Sequence, residues 1–100
     1  MIIHQREISY TENYSECFEA LVKAKAYVGR KYPELSMDLM YNLAGQRGRV
    51  TIQTRYASLA DYERIDAELD NDEEYSKLIK STISATGDLP VDQFYRVIKS

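Results

Sequence analysis

Apolar positions along the chain switch between a two-residue spacing and a spacing of three and four, and each switch marks the border of a predicted element. Ile2 to Ser9 holds β-formers without a breaker and reads as a first strand. From Asn13 the spacing changes. Tyr14, Cys17, Phe18, Leu21, Ala24 and Val28 form one stripe, with Glu12, Glu16, Glu19 and Lys23 opposite, which predicts an amphipathic helix. Thr11 or Asn13 can cap its start, and Glu16, three residues past Asn13, resembles a capping box. Gly29 and Pro33 bracket its end.

Leu35 to Leu43 alternates again, with Leu35, Met37, Leu39, Tyr41 and Leu43 on one face. Gly45-Gln46-Arg47-Gly48 supplies a hairpin turn into a third run, Arg49 to Tyr56. Ser58 to Asp61 reads as a capping box opening a second helix with Leu59, Tyr62, Ile65 and Leu69 on its stripe. Asp70-Asn71-Asp72 can interrupt and recap that helix, after which Tyr75, Leu78, Ile79, Thr82 and Ile83 form another stripe that Gly87 can close. Pro90 precedes a last strand, Val91 to Ile98. The resulting order is β, α, β, β, broken α, β. It predicts an α+β, ferredoxin-like domain whose four-stranded antiparallel sheet has the first and third strands as central neighbours. Residues 1–100 read as a single domain, with no internal repeat or linker inside it.

Helices can cover only one side of such a sheet, yet the strands carry apolar groups on both. The second strand shows Leu39 and Tyr41 one way and Met40 the other; the last shows Tyr95 and Val97 against Phe94 and Ile98. A second copy packed sheet on sheet by two-fold symmetry would cover the exposed side, so a homodimer is expected, with an interface of about 2,000 Å² in total.

Composition removes several functional classes. A net charge of −3 and a pI near 5.1 provide no attraction for nucleic acid or anionic membranes. RNA-recognition domains share the strand order, but the aromatic positions of their sheet motif hold Arg49, Thr51 and Arg55. With neither a leader-like start nor a long apolar stretch, and with Cys17 as the lone cysteine, a cytoplasmic location is expected. One His and one Cys cannot assemble a transition-metal site, and the acidic run from Asp66 to Glu74 lacks the glycine of an EF-hand loop, so no metal and no cofactor is expected. Nine tyrosines without any tryptophan favour half-buried pockets and interfaces, where an apolar ring carries a polar tip.

Three stretches carry a resemblance to a known group. They are Ile2-Ile3-His4-Gln5-Arg6-Glu7, the join from Thr54 to Glu63 through Ser58-Leu59-Ala60-Asp61-Tyr62, and Phe94-Tyr95-Arg96-Val97. Over nearly its whole length the chain resembles the dimeric α+β barrel superfamily, and within it the small NIPSNAP-like proteins. The resemblance implies the fold and a pocket between sheet and helices. It leaves activity open, because the superfamily includes haem-degrading and cofactor-independent monooxygenases, isomerases and ligand-sensing domains. Its haem-degrading members use an asparagine on the first strand, a tryptophan on the second helix and a histidine on the third. Here there is no tryptophan, and the only histidine, His4, lies on the first strand.

His4 is the candidate general base, since imidazole ordinarily titrates near neutrality. Its plainer reading is a hydrogen-bonded strand residue. Arg6 shares its face and can meet a ligand carboxylate or enolate, or else an ordinary cross-strand acid. Arg55 and Tyr56 end the third strand beside the helix cap, at a pocket mouth, although Tyr56 also fits the core beside Val50 and Ile52. Tyr62 and Tyr75 lie on helical stripes, where packing is the commoner role and ligand contact the alternative. Cys17, on an apolar stripe without a histidine nearby, reads as an inert thiol. Two functions follow. One is a homodimeric binding protein holding a small aromatic or amphipathic molecule between sheet and helices. The other is a cofactor-independent monooxygenase or isomerase in which His4 takes a proton and Arg6 or Arg55 stabilises the anion.

Overall fold

A computed structural model describes residues 1–10, 14–41, 48–83 and 90–98. Its elements, in chain order, are β1 (Ile2–Ser9), α1 (Tyr14–Lys31), β2 (Ser36–Tyr41), β3 (Arg49–Tyr56), α2 (Leu59–Asp70), α3 (Glu73–Ile83) and β4 (Val91–Arg96). The sheet has the order β2, β3, β1, β4 with every neighbouring pair antiparallel. This is the expected ferredoxin-like plan, with the broken second helix observed as α2 and α3. β1 and β3 match the expected borders; β2 begins at Ser36, one residue later than expected, its expected end at Leu43 lying outside the described residues, and β4 stops at Arg96, two residues short of its apolar run. α1 ends at Lys31, between Gly29 and Pro33. The expected caps at Thr11 or Asn13, the turn residues Gly45 to Arg47 and the Gly87 stop lie outside the described residues.

Alternation decides which side of each strand meets the helices. Ile2, Ile8 and Tyr10 are buried beneath them, so the even-numbered residues of β1 face the helices and Ile3, Gln5, Glu7 and Ser9 face away. Register carries that sidedness to the neighbours: Tyr56, Thr54, Ile52 and Val50 stand opposite Ile2, His4, Arg6 and Ile8. One core cluster joins Ile8, Tyr10, Cys17, Leu21 and Val50; another joins Val28, Tyr32, Tyr56 and Ile65. Leu59 does not share the buried stripe of α2, being 46% exposed; Ile65 alone is fully buried on that helix.

The side of the sheet away from the helices departs from expectation. Its apolar members are Ile3, Met40, Val91 and Tyr95, interspersed among Gln5, Glu7, Asp38, Arg49, Thr51, Gln53 and Arg55, with an ion pair between Arg49 and Glu7. The expectation of a sheet apolar on both sides is therefore corrected. In the two central strands the large apolar residues concentrate on the helix side, and only Ile3 escapes this.

The break between α2 and α3 is held by one carboxylate. Asn71 closes α2 through its N–H to Glu68 O, and Asp72 then opens α3 by accepting the Tyr75 N–H at 3.1 Å. Its other oxygen accepts from the Tyr27 hydroxyl and, at 2.7 Å, from Lys31 Nζ, tying the end of α1 to the start of α3. The Lys31 and Tyr27 hydrogen bonds, with that of the Tyr75 N–H, hold the Asp72 carboxyl well below the usual carboxylate range. A depressed folded pKa adds stability that is present above the unfolded pKa, near 3.9, and is lost as pH falls toward the folded one. Acid titration of the wild-type protein should therefore show a loss of thermal stability below about pH 4. Asp72→Asn should start less stable at neutral pH and show a flatter dependence there. Parallel curves for the two proteins would refute the assignment.

Candidate functional site

Burying Ile2 and Ile8 on the helix side obliges His4 and Arg6, two and four residues after Ile2, to face the same way. β4 lies antiparallel to β1 so that Phe94 stands opposite His4 and Asp92 opposite Arg6. The Ser58 side chain caps α2 by accepting the Asp61 N–H at 3.2 Å, and that start point brings Tyr62 over the same place.

Asp92 is the centre of the cluster. Arg6 donates to it twice, from Nε to Oδ1 at 2.7 Å and from Nη2 to Oδ2 at 3.2 Å, the paired geometry a guanidinium makes with a carboxylate. His4 Nε2 lies 2.9 Å from the same Oδ1. The Arg6 hydrogen bond pulls the Asp92 carboxyl below its ordinary value; burial opposes this and His4 reinforces it. The same hydrogen bond raises the Arg6 guanidinium further. Aromatic rings enclose the histidine. Its ring stacks on Phe94 with centroids 4.7 Å apart and meets the edge of Tyr62 at 5.3 Å, while Tyr62 in turn meets Phe94 at 4.9 Å and Tyr56 at 5.3 Å. Burial pushes the Tyr56 hydroxyl up to about 12 and raises Tyr62 and Tyr75 as well.

His4 is only 12% exposed in its side chain, whereas Arg6 and Asp92 are 41% and 36% exposed. The ion pair thus sits at the solvent edge, where such pairs contribute at most about 1 kcal/mol. An incoming anion of the same shape can displace the carboxylate at little cost. On the inner side, a cavity of about 40 Å³ lies beneath α1, lined by Leu21, Val28, Met37, Leu39, Ile52 and Tyr75 among others. Ile52 stands opposite Arg6 in the register, and Tyr75 is near enough to Arg6 to feel its charge. The cation and the apolar hollow therefore lie on the same side of the sheet, with Ile52 on the neighbouring strand between them.

Five of the six residues singled out from the sequence face the helix side of the sheet: His4, Arg6, Tyr56, Tyr62 and Tyr75. Arg55 does not join them. It is exposed on the opposite side of the sheet, between Ile3 and Ser36 in the register. Asp92 and Phe94 were not anticipated as site residues. Setting the last strand antiparallel to the first would have placed an acid opposite Arg6, which is the signal that could have found them. Among the described residues, no three His, Cys, Asp or Glu side chains converge to hold a metal. No described helix is long and apolar enough to cross a membrane.

No family model matches the chain, and neither does any curated protein. Solved structures do. An uncharacterized NIPSNAP domain protein from Burkholderia xenovorans superposes with a TM-score of 0.81 at 11% identity, covering 98% of this chain and 95% of that one. A NIPSNAP family protein from Agrobacterium tumefaciens gives 0.80 at 13%, covering 95% and 90%. An antibiotic biosynthesis monooxygenase gives 0.77 at 10%, covering 99% and 100%. The chain has the ferredoxin-like fold of these proteins.

Proposed function

We propose that this chain is a homodimeric binding protein for a small aromatic or amphipathic molecule. The molecule enters at the helix-side cluster of His4, Arg6, Tyr56, Tyr62 and Tyr75, with Asp92 and Phe94 at its rim. The observation that supports the reading is a half-exposed Arg6 fork beside the ring cluster of His4, Tyr62 and Phe94, on the side of the sheet that also holds the apolar hollow lined by Ile52 and Tyr75. A flat acid would place its anion on the Arg6 fork in place of Asp92 and its ring against Tyr62, Tyr75 or Phe94. Movement of Tyr75 would extend the space inward for a longer apolar group.

The competing reading, a cofactor-independent monooxygenase or isomerase with His4 as base, gains an orienting carboxylate in Asp92. Its oxyanion candidates fit poorly: Arg55 lies across the sheet, and an anion taking the Arg6 fork would displace the same carboxylate that orients His4. Binding is the better supported of the two.

The test is saturation-transfer NMR with 1-naphthoate and its neutral counterpart, 1-naphthamide. Naphthoate should bind more tightly than the amide, Arg6→Gln should weaken it by about tenfold, and Arg55→Gln should leave it unchanged. Equal signals for acid and amide, or an Arg6→Gln protein that binds like wild type, would end this reading. Native mass spectrometry checks the assembly; a protomer-mass ion as the main species would remove the homodimer.

A further inference from the structure

We infer, resting on the binding reading proposed above, that the site takes its acid together with a proton and that His4 is the group that receives it. His4 Nε2 and Arg6 Nε lie 2.9 and 2.7 Å from one oxygen of Asp92, and Arg6 Nη2 donates to the other oxygen, so one carboxylate serves both side chains. With a neutral imidazole, the cluster of His4, Arg6 and Asp92 is balanced, its guanidinium against its carboxylate.

A ligand carboxylate on the Arg6 fork upsets that balance. The paired geometry of the fork is taken by one carboxylate at a time, so Asp92 gives way. Two carboxylates, the ligand's and the one it displaced, then stand beside the imidazole with a single guanidinium to balance them. Arginine is always cationic in a protein and has no further charge to offer. A proton on His4 supplies it, because imidazole ordinarily titrates near neutrality and a negative charge close by favours its charged form. Burial of the ring and the charge of Arg6 both resist a cation there, which is why the second carboxylate is needed. Once formed, the cation lies over the face of Phe94, whose ring is stacked on His4 at 4.7 Å.

The other groups around His4 do not take that proton. On α2, Tyr62 meets its ring at 5.3 Å; on β3, Thr54 stands opposite it and Tyr56 packs against Tyr62; on α3, Tyr75 is near enough to Arg6 to feel its charge. Burial raises the hydroxyls of all three tyrosines, Tyr56 to about 12, so they stay neutral at working pH. Asp66 and Asp70, exposed on α2, act on Tyr62 through charge alone. Arg96, on the helix side of β4 opposite Ile2, is a permanent cation. Asp92 is held below its ordinary value by the Arg6 hydrogen bond, and release from Arg6 returns it only toward that value, about 4. His4 is left as the group that changes charge between about pH 6 and pH 8. Linkage is reciprocal: an acid that raises the proton affinity of His4 is bound more tightly as pH falls through that range.

His4 is the only histidine of the chain, so its ring signals can be followed by proton NMR through a pH titration of the wild-type protein. Saturating 1-naphthoate should move the titration midpoint up by about 1–2 pH units. 1-Naphthamide, or sodium chloride at the same concentration, should leave it in place. Calorimetry reads the same coupling from the ligand's side. Naphthoate affinity should rise about tenfold from about pH 8 to about pH 6, and His4→Gln should bind naphthoate without that rise. A midpoint that stays in place while naphthoate binds through Arg6 would overturn the proton uptake and leave the binding site standing. Naphthoate that binds no better than naphthamide would remove the site and the proton together. If His4→Gln does not fold, the wild-type titration decides alone.

Discussion

Replacing Ile65 by Ala should destabilise the protein by about 3–4 kcal/mol and lower its melting temperature by about 15–25 °C. Ile65 is fully buried, at 0% exposure, and packs in the cluster with Val28, Tyr32 and Tyr56. It is the one fully buried residue of α2, so the attachment of that helix to the sheet depends on it more than on any other side chain. Truncation removes the transfer free energy of the lost carbons and leaves a hollow that an α-helix on one side and β3 on the other cannot close. Because α2 also carries Tyr62, the variant should bind naphthoate more weakly even at temperatures where it remains folded. Thermal denaturation by circular dichroism measures the first effect. A loss below about 1 kcal/mol would mean that α2 is held by something other than this contact.

Gly48→Ala should cost about 2–3 kcal/mol, for two separable reasons. Gly48 has φ of +80°, where an L side chain is strained, and a Cβ built there would lie 2.9 Å from the backbone oxygen of Tyr10. The obstacle is backbone and cannot rotate aside. Its position is also fixed from the other direction, since Tyr10 donates its N–H to Gly48 O at 2.8 Å. Relief of the contact would break that bond at the junction of β1 and β3, next to the core cluster of Ile8, Tyr10 and Val50. Gly29→Ala is the matched control. Gly29 lies inside α1 with nothing within 4 Å of an added Cβ, and there the substitution should stabilise by about 0.5–1 kcal/mol. Urea titration of both variants reads the contrast directly. Equal midpoints for the two would contradict the strained conformation at Gly48.

The candidate site divides along the same line as these predictions. His4 and Arg6 could be placed on one face from β1 alone, because two-residue alternation is a property of any strand; that this face turns toward the helices follows from the observed burial of Ile2 and Ile8. Tyr62 and Tyr75 followed from helical stripes, and their inward direction is observed. Arg55 was grouped with Tyr56 by adjacency in sequence, and adjacency within a strand is what separates two side chains onto opposite faces. Asp92 escaped notice for a different reason. Its partners, Arg6 and His4, lie 86 and 88 residues away, and no local pattern reports a pairing at that distance.

Periodicity, caps and breakers along the chain determined the kind and order of the elements and the interruption at Asp70 to Asp72, since each depends on neighbours a few residues apart. Tertiary structure alone decided that β4 sets Asp92 between Arg6 and His4, that Phe94 and Tyr62 close over the imidazole, and that the far side of the sheet is mostly polar. Those outcomes turn on strand register and on which helix lies over which strand. Both are fixed by the summed packing of the whole core rather than by any short stretch of sequence.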